Sequence, residues 1–467
     1  IGKTMGRHSK MGLTEAKQPR SLLSKMDASY HAASGKNSPM ANVSNGQAGQ
    51  ACWHAQWTAP SLHEGGDHTC NTPMAKDNLA HTRTKFLSQQ TGESTTPVDP
   101  LGMGIADMDC PPPGVIGKRL AAALSSHYGY HDIHHATANA VSHWFKPQGT
   151  QHRETNSPVS PHSVVGVASV VSAVDVALKT FCQPGDSIMI LTPTYGPLKA
   201  CIALNGMQAH DIAISTSSKA AHSINLNALC ENASAMVLCH PNNPTGTVLS
   251  EQCQEEIVTF CHQHNILLVT DEVHSEFGFS SPYRPASVPL FGSKSRLRDR
   301  CNIIHINSVS KAFNLAAVPG ASYAIVPNPD SKQQFAQAIK ARHLEASFLS
   351  QLALIAAYKE GGAWLNALRH SIDYNRQFVD FYFNYHGLHP DYTLGQAGYF
   401  LWLNLESKDE SRYTCTFAAR SFQACLDRGV MGTDGQSFGA PGFIRLNLAC
   451  HPRVIEQALD RIFFNRF

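Results

Sequence analysis

The sequence predicts an α/β protein with a mainly parallel central sheet, helices on both of its faces, and a smaller α+β domain. Between about residues 163 and 307, short β-branched runs alternate with longer amphipathic segments, the pattern of parallel strands joined by crossover helices. After about residue 350 the chain turns to long helical periodicity, then one strand-like run and two more helices. Residues 1 to about 80, rich in Ser, Ala, Gly, Asn, His and Lys, show no sustained period.

Taken in order, residues 1–85 read as a disordered or weakly ordered extension carrying Trp53 and Trp57. Its few basic residues and Ser21-Leu22-Leu23 leave an organelle-targeting reading open. The globular pattern begins near Thr96, Pro111-Pro112-Pro113 punctuates it, and 115–126 reads as a helix. Strands are expected over 164–168, 187–191, 235–239, 266–270 and 303–307, with helices over 170–181, 198–204 and 251–264 between them. Helices over 350–358 and 364–385, a strand over 398–403, and helices over 417–427 and 452–463 complete the chain, with no internal repeat. The implied division is a large domain at 136–349 and a small domain formed by 96–135 and 350–467, the former of these two including an N-terminal arm.

Length and charge limit the function. The 467 residues can bury a large core, and a formal net charge of +2 is too balanced for nucleic acid as the main partner. No apolar run is long enough to cross a membrane, and the start of the sequence lacks a secretory-type apolar region. The thirteen cysteines are scattered with no Cys-x-x-Cys, which reads as reduced thiols in a cytoplasmic protein. His131-Asp132-Ile133-His134-His135 and Cys261-His262-Gln263-His264 invite a metal reading. Neither has a second ligand pair at a recognised spacing, so no metal is expected.

Three segments carry chemistry together. Lys311, flanked by Ser308 and Ser310 after a β-branched run, can be presented at a strand end and attack a carbonyl. Alone it would read as a solvated surface charge. Pro241-Asn242-Asn243-Pro244-Thr245-Gly246 and Asp271-Glu272-Val273-His274 lie upstream, and the three together read as a pocket for pyridoxal 5′-phosphate with Lys311 as its Schiff-base lysine. Asp271, following an apolar strand, suits the protonated ring nitrogen, although an Asp there is also a common helix cap. Asn243 offers an amide to the ring 3′ oxygen, with His274 as a second contact; Asn-Pro is also a common turn. Ser169, Val170 and Val171 form a strand-turn-helix start suited to a phosphate, with hydroxyls from Ser308 and Ser310. Tyr195 can stack on the ring, or simply pack in the core. Arg445, in an apolar strand-like run, suits an α-carboxylate, with a structural salt bridge as the alternative.

These residues resemble the fold-type I pyridoxal-phosphate enzymes of the aminotransferase class I/II superfamily, over about residues 98–465. Within it they are most similar to the MalY/PatB-type cystathionine β-lyases, or C–S lyases. Ala106-Asp107-Met108-Asp109, Tyr128-Gly129-Tyr130 with Trp144-Phe145, Ser310-Lys311-Ala312-Phe313-Asn314-Leu315 and Gly442-Phe443-Ile444-Arg445-Leu446-Asn447 carry the likeness, as does His274 where many aminotransferases have Tyr. The resemblance implies a homodimer with shared active sites, Tyr130 reaching the phosphate of the neighbouring subunit. Cys110 stands where the branch usually has an aromatic residue, and Pro319 where many aminotransferases have an Arg. The extension has no match in the family, and its usual tryptophan-containing segment is not evident around Thr84-Lys85-Phe86.

The implied reaction is α,β-elimination of L-cystathionine or another L-cysteine S-conjugate to thiol, pyruvate and ammonia. Lys311 then acts as α-proton base, aided by Asp271 and Tyr195. An aminotransferase shares every cofactor residue and is the enzymatic alternative. A binding or regulatory protein on the same fold is the other alternative.

Overall fold

The structure, a computed structural model, describes residues 22, 26, 100–126, 129, 131–146, 158–214, 224–279, 285–298, 300–406 and 419–464. Two compact units divide the chain at residue 48. In the first, Leu22 and Met26 are helical and buried. The expectations for Trp53, Trp57, Thr84-Lys85-Phe86, Tyr128 and Tyr130 lie outside the described residues.

The second unit opens with β1 (Leu101–Gly102) and is built on β2 (Val164–Val167), β3 (Ser187–Thr192), β4 (Gln208–Ala213), β5 (Ala235–Cys239), β6 (Leu267–Asp271), β9 (Ile303–Ser308) and β10 (Ser322–Ile325), with a short β7–β8 hairpin of Gly278–Phe279 and Pro285–Ala286 between β6 and β9. Their spatial order is β2-β10-β9-β6-β5-β3-β4. All pairs are parallel except those of β10, which runs antiparallel to both neighbours. β5, β6 and β9 are buried along their whole length, as apolar runs covered on both faces must be.

Period-two alternation sorts each strand between two layers. Val237, Val269, Ile304 and Ile306 pack under the helices Val170–Phe181, Gly196–Leu204 and Pro329–Ala341. Met236, Leu238 and Leu268 meet Ile257, Val258 and Cys261 of the helix Glu251–Gln263. Serine caps start these helices: the Ser169 and Ser250 hydroxyls accept the Ser172 and Cys253 N–H groups.

A second sheet, in the order β11 (Tyr392–Thr393), β12 (Phe400–Asn404), β15 (Phe443–Asn447), β14 (Thr433–Asp434), is antiparallel. It follows the long helices Phe348–Glu360 and Gly362–His386, the latter ending at Gly387 in the left-handed conformation, φ 61°. β13 (Val430–Met431) pairs in parallel with β1 and so ties the beginning of the fold to its end.

The fold contains elements that the sequence did not predict, among them β4, β10 and the helices His134–Trp144 and Pro329–Ala341. β4 is an edge strand whose only fully buried side chain is Ile212, so its sequence is polar. β10 has four buried residues and no alternation to read. The helix Pro329–Ala341 carries a start signal that was passed over: Asn328 caps it and proline occupies its first turn. The helix expected over 417–427 begins only at Phe422 and runs to Asp427; Ser421 caps it, and 419–421 are not helical. Among the described residues no helix is long and apolar enough to cross a membrane.

Candidate active site

Parallel strands put their carboxyl ends on one edge of a sheet, and all the chemistry-bearing segments except that of Arg445 leave from that edge. β2 leads to Ser169, β3 to Tyr195, β5 to Asn243, β9 to Lys311, and β6 ends on Asp271 itself. The turn after β5 closes on itself. Gly246 N–H donates to Asn242 O at 2.8 Å, Thr245 Oγ1 donates to Asn242 Oδ1 at 2.8 Å, and Gly246 takes φ 68°, which favours glycine. Asn242 serves the turn, and Asn243 is left to face the pocket.

There Asn243 Oδ1 accepts from Arg445 Nη1 at 2.7 Å. Arg445 Nη2 donates to Gly104 O at 2.6 Å and to Thr433 Oγ1 at 3.2 Å. The guanidinium lies between the rings of Phe400 and Phe438, 4.2 and 5.0 Å from their centroids. Its Nε is buried without a partner. Burial lowers the Arg445 pKa to about 10, which leaves it charged at neutral pH. Among the described residues no carboxylate bonds it, so there the salt-bridge alternative does not describe this arginine.

Asp271 is buried, and one carboxylate oxygen accepts the Val273 N–H at 3.2 Å. Burial pushes its pKa up to about 7; the Val273 N–H and the Lys311 charge oppose this, and the Glu272 charge adds to it. His274 is buried between the edges of Tyr399 and Phe400, its Nδ1 has no partner, and burial lowers its pKa to about 3, so the ring is neutral. Tyr195 stands at the start of the helix Gly196–Leu204, and burial first, then the Asp271 charge, raises its hydroxyl's pKa. Lys311 Nζ donates to Ala106 O at 2.7 Å.

Ser169 accepts the Ser172 N–H at 3.1 Å, and Val170 and Val171 open the helix behind it with first-turn N–H groups. Ser308 differs from its expected role. Its hydroxyl donates to Ala321 O at 2.8 Å, accepts the Ser310 N–H at 3.0 Å and accepts from Ser322 at 2.9 Å. A hydroxyl has one proton and two lone pairs, so Ser308 is saturated by its own turn. Ser310, half-buried in the next turn, lacks that constraint on its side chain.

The sequence marked 106–110 as a motif but not its role as the segment over this edge. Gly104 to Cys110 is tied down by its carbonyls: Asn447 Nδ2 donates to Ile105 O (2.8 Å) and Asp107 O (2.5 Å), and Asn314 Nδ2 to Met108 O (3.0 Å) and Cys110 O (2.6 Å). Asn314 adopts φ 54° to do so. Both asparagines stand beside recognised motif residues, which was the available signal. Trp144 has a packing role: it stacks on Tyr358 at 4.5 Å and donates to Glu276 at 2.6 Å. His131 stacks on Phe348 and His135 bonds to Asn139.

The donor set fits pyridoxal 5′-phosphate. A buried acid with a raised pKa calls for a cationic partner such as a protonated pyridine, and the orphaned His274 Nδ1 and the first-turn N–H groups of Val170 and Val171 are polar atoms of the kind a ring oxygen and a phosphate would meet.

Residues 106–462 match the family described as aminotransferase class I and II, and the chain belongs to that family. It is 28% identical to cystathionine beta-lyase PatB of Bacillus subtilis over 80% of this chain and 94% of that one. It is 27% identical to protein MalY of Escherichia coli over 68% of this chain and 79% of that one. Cystalysin from Treponema denticola, solved with pyridoxal 5′-phosphate, superposes with a TM-score of 0.66 at 22% identity, over 85% of this chain and 96% of that one, and so shares the fold.

Proposed function

We propose that the protein is a pyridoxal-phosphate-dependent carbon–sulfur β-lyase acting on L-cystathionine or a related L-cysteine S-conjugate. The observation that carries the elimination reading is the likeness to PatB over 94% of that protein's length. When bound, the cofactor supplies an electron sink for the charge left at the substrate's α-carbon. The chain's own groups do the rest. Arg445, aimed by Asn243 and Thr433, holds the α-carboxylate. Asp271 would keep a proton on the ring nitrogen, Asn243 and His274 would meet the 3′ oxygen, and Tyr195 would stack on the ring. Ser169, Val170, Val171 and Ser310 would hold the phosphate, with Tyr130 of a second copy in a homodimer. Lys311 Nζ takes the α-proton, the C–H electron pair forms the Cα–Cβ double bond, and the thiolate leaves with the C–S pair. Hydrolysis then gives pyruvate and ammonia.

The large domain of this reading is 136–349 and the small one 96–135 with 350–467. Free cysteines, eight of the ten described ones buried, suit a cytoplasmic setting, which fractionation would test. The deciding assay supplies L-cystathionine with no keto acid. Pyruvate and thiol in equal amounts support the reading. Turnover only when a keto acid accepts the amino group overturns it in favour of an aminotransferase.

A further inference from the structure

Asp271 and Glu272 are adjacent in sequence and face opposite sides of the central sheet. Asp271 lies on the side of Val269, under the helix Val170–Phe181, whereas Thr270 shares the other face with Leu268. His305 of β9 is in register with Thr270. The Glu272 carboxylate turns to that far face. It accepts from Thr270 Oγ1 at 2.6 Å and from Phe291 N–H at 3.2 Å, and His305 Nδ1 lies 2.8 Å away. His305 Nδ1 also lies 3.0 Å from Thr270 Oγ1; with the Thr270 proton given to Glu272, Nδ1 meets the carboxylate as a donor. His305 Nε2 is buried with no partner among the described residues. Three partners thus meet the two Glu272 oxygens.

We propose that Glu272 is a positioning residue that acts through Asp271: its charge, fixed by His305 from the far face of the sheet, holds the proton on the ring nitrogen of the bound cofactor. The local field supports this. Glu272 raises the pKa of Asp271, and Lys311 lowers it. Tyr195 and Cys239 feel the Asp271 charge on that side, with Arg445 acting on both, while His240, just after β5, and Tyr323 of β10 feel Glu272. The proposal rests on pyridoxal phosphate occupying the pocket, not on the elimination step.

Two pH midpoints test it. One is the midpoint of the bound cofactor's absorbance change. The other is the loss of cofactor-free stability as pH rises through the Asp271 pKa of about 7. Glu272→Gln is expected to move both down by about one pH unit. His305→Leu is expected to move them the same way by less. His305→Gln, whose amide can donate to Glu272, restores them, and this pair decides the matter if Glu272→Gln does not fold. Unmoved midpoints in cofactor-loaded Glu272→Gln protein, an upward shift, or no restoration by His305→Gln overturns the proposal. A protein that binds no pyridoxal phosphate overturns the ring-nitrogen assignment together with the cofactor reading.

Discussion

The floor and the cover of the pocket are built in opposite ways. The floor groups sit within a few residues of the carboxyl ends of parallel strands: Asp271 ends β6, Asn243 follows β5, and Lys311 follows β9. The cover, Gly104 to Cys110, is held by residues more than 200 positions away in sequence, namely Arg445, Asn447, Asn314 and Lys311. Floor positions are fixed by covalent adjacency to rigid strands. Cover positions depend on a set of individually modest hydrogen bonds across large loops of chain. Changes to the floor should therefore act on the chemical step, and changes to the cover on substrate binding and on stability.

Lys311→Ala gives the largest effect expected. Pyruvate formation from L-cystathionine should fall at least about 10³-fold, with a stability loss no larger than that of one hydrogen bond to Ala106 O, about 1 kcal/mol. A variant within tenfold of wild type would break the distinction at its strongest point.

Asp271 offers a second test on the floor. Its folded pKa of about 7 stands above that of an unfolded Asp, so the stability it contributes is present at acid pH and lost as pH rises through that value. The cofactor-free protein should lose on the order of a few kcal/mol between about pH 4 and pH 8 from this group. Added pyridoxal phosphate should restore more stability at pH 8 than at pH 5. In Asp271→Asn, unfolding of the cofactor-free protein should lose this pH dependence, and a retained slope would assign it elsewhere.

Arg445 joins the two regions, since it bonds both Asn243 below and Gly104 above. Arg445→Lys keeps the charge and loses the planar fork, so kcat/KM should drop about 10²-fold. A fall carried by KM places its effect with the cover, and one carried by kcat with the floor. The smallest effect belongs to Asn447→Ala, which frees two cover carbonyls; unfolding should become easier by about 1–3 kcal/mol, with KM raised several-fold and kcat nearly kept. An equal loss in kcat would mean that the cover also shapes the reacting centre.

Local patterns showed the main strands, the helices between them and every floor residue named above, because strand burial and strand-end chemistry leave marks a few residues long. β4, β10 and the helix Pro329–Ala341 were not expected. An exposed edge leaves β4 polar, and a four-residue interior strand such as β10 carries no period. Ser308 shows the limit in the site itself. Its position beside Lys311 was plain, but only the folded turn spends its hydroxyl on Ala321 O.

By itself, then, the sequence determined which side chains stand at the ends of the parallel strands, since covalent adjacency to a buried β-run fixes that placement. Only the tertiary structure decided what lies over them and behind them. The carbonyls of Gly104 to Cys110 carry no side-chain signature, and the Glu272–His305 contact crosses strands whose register the sequence does not encode locally.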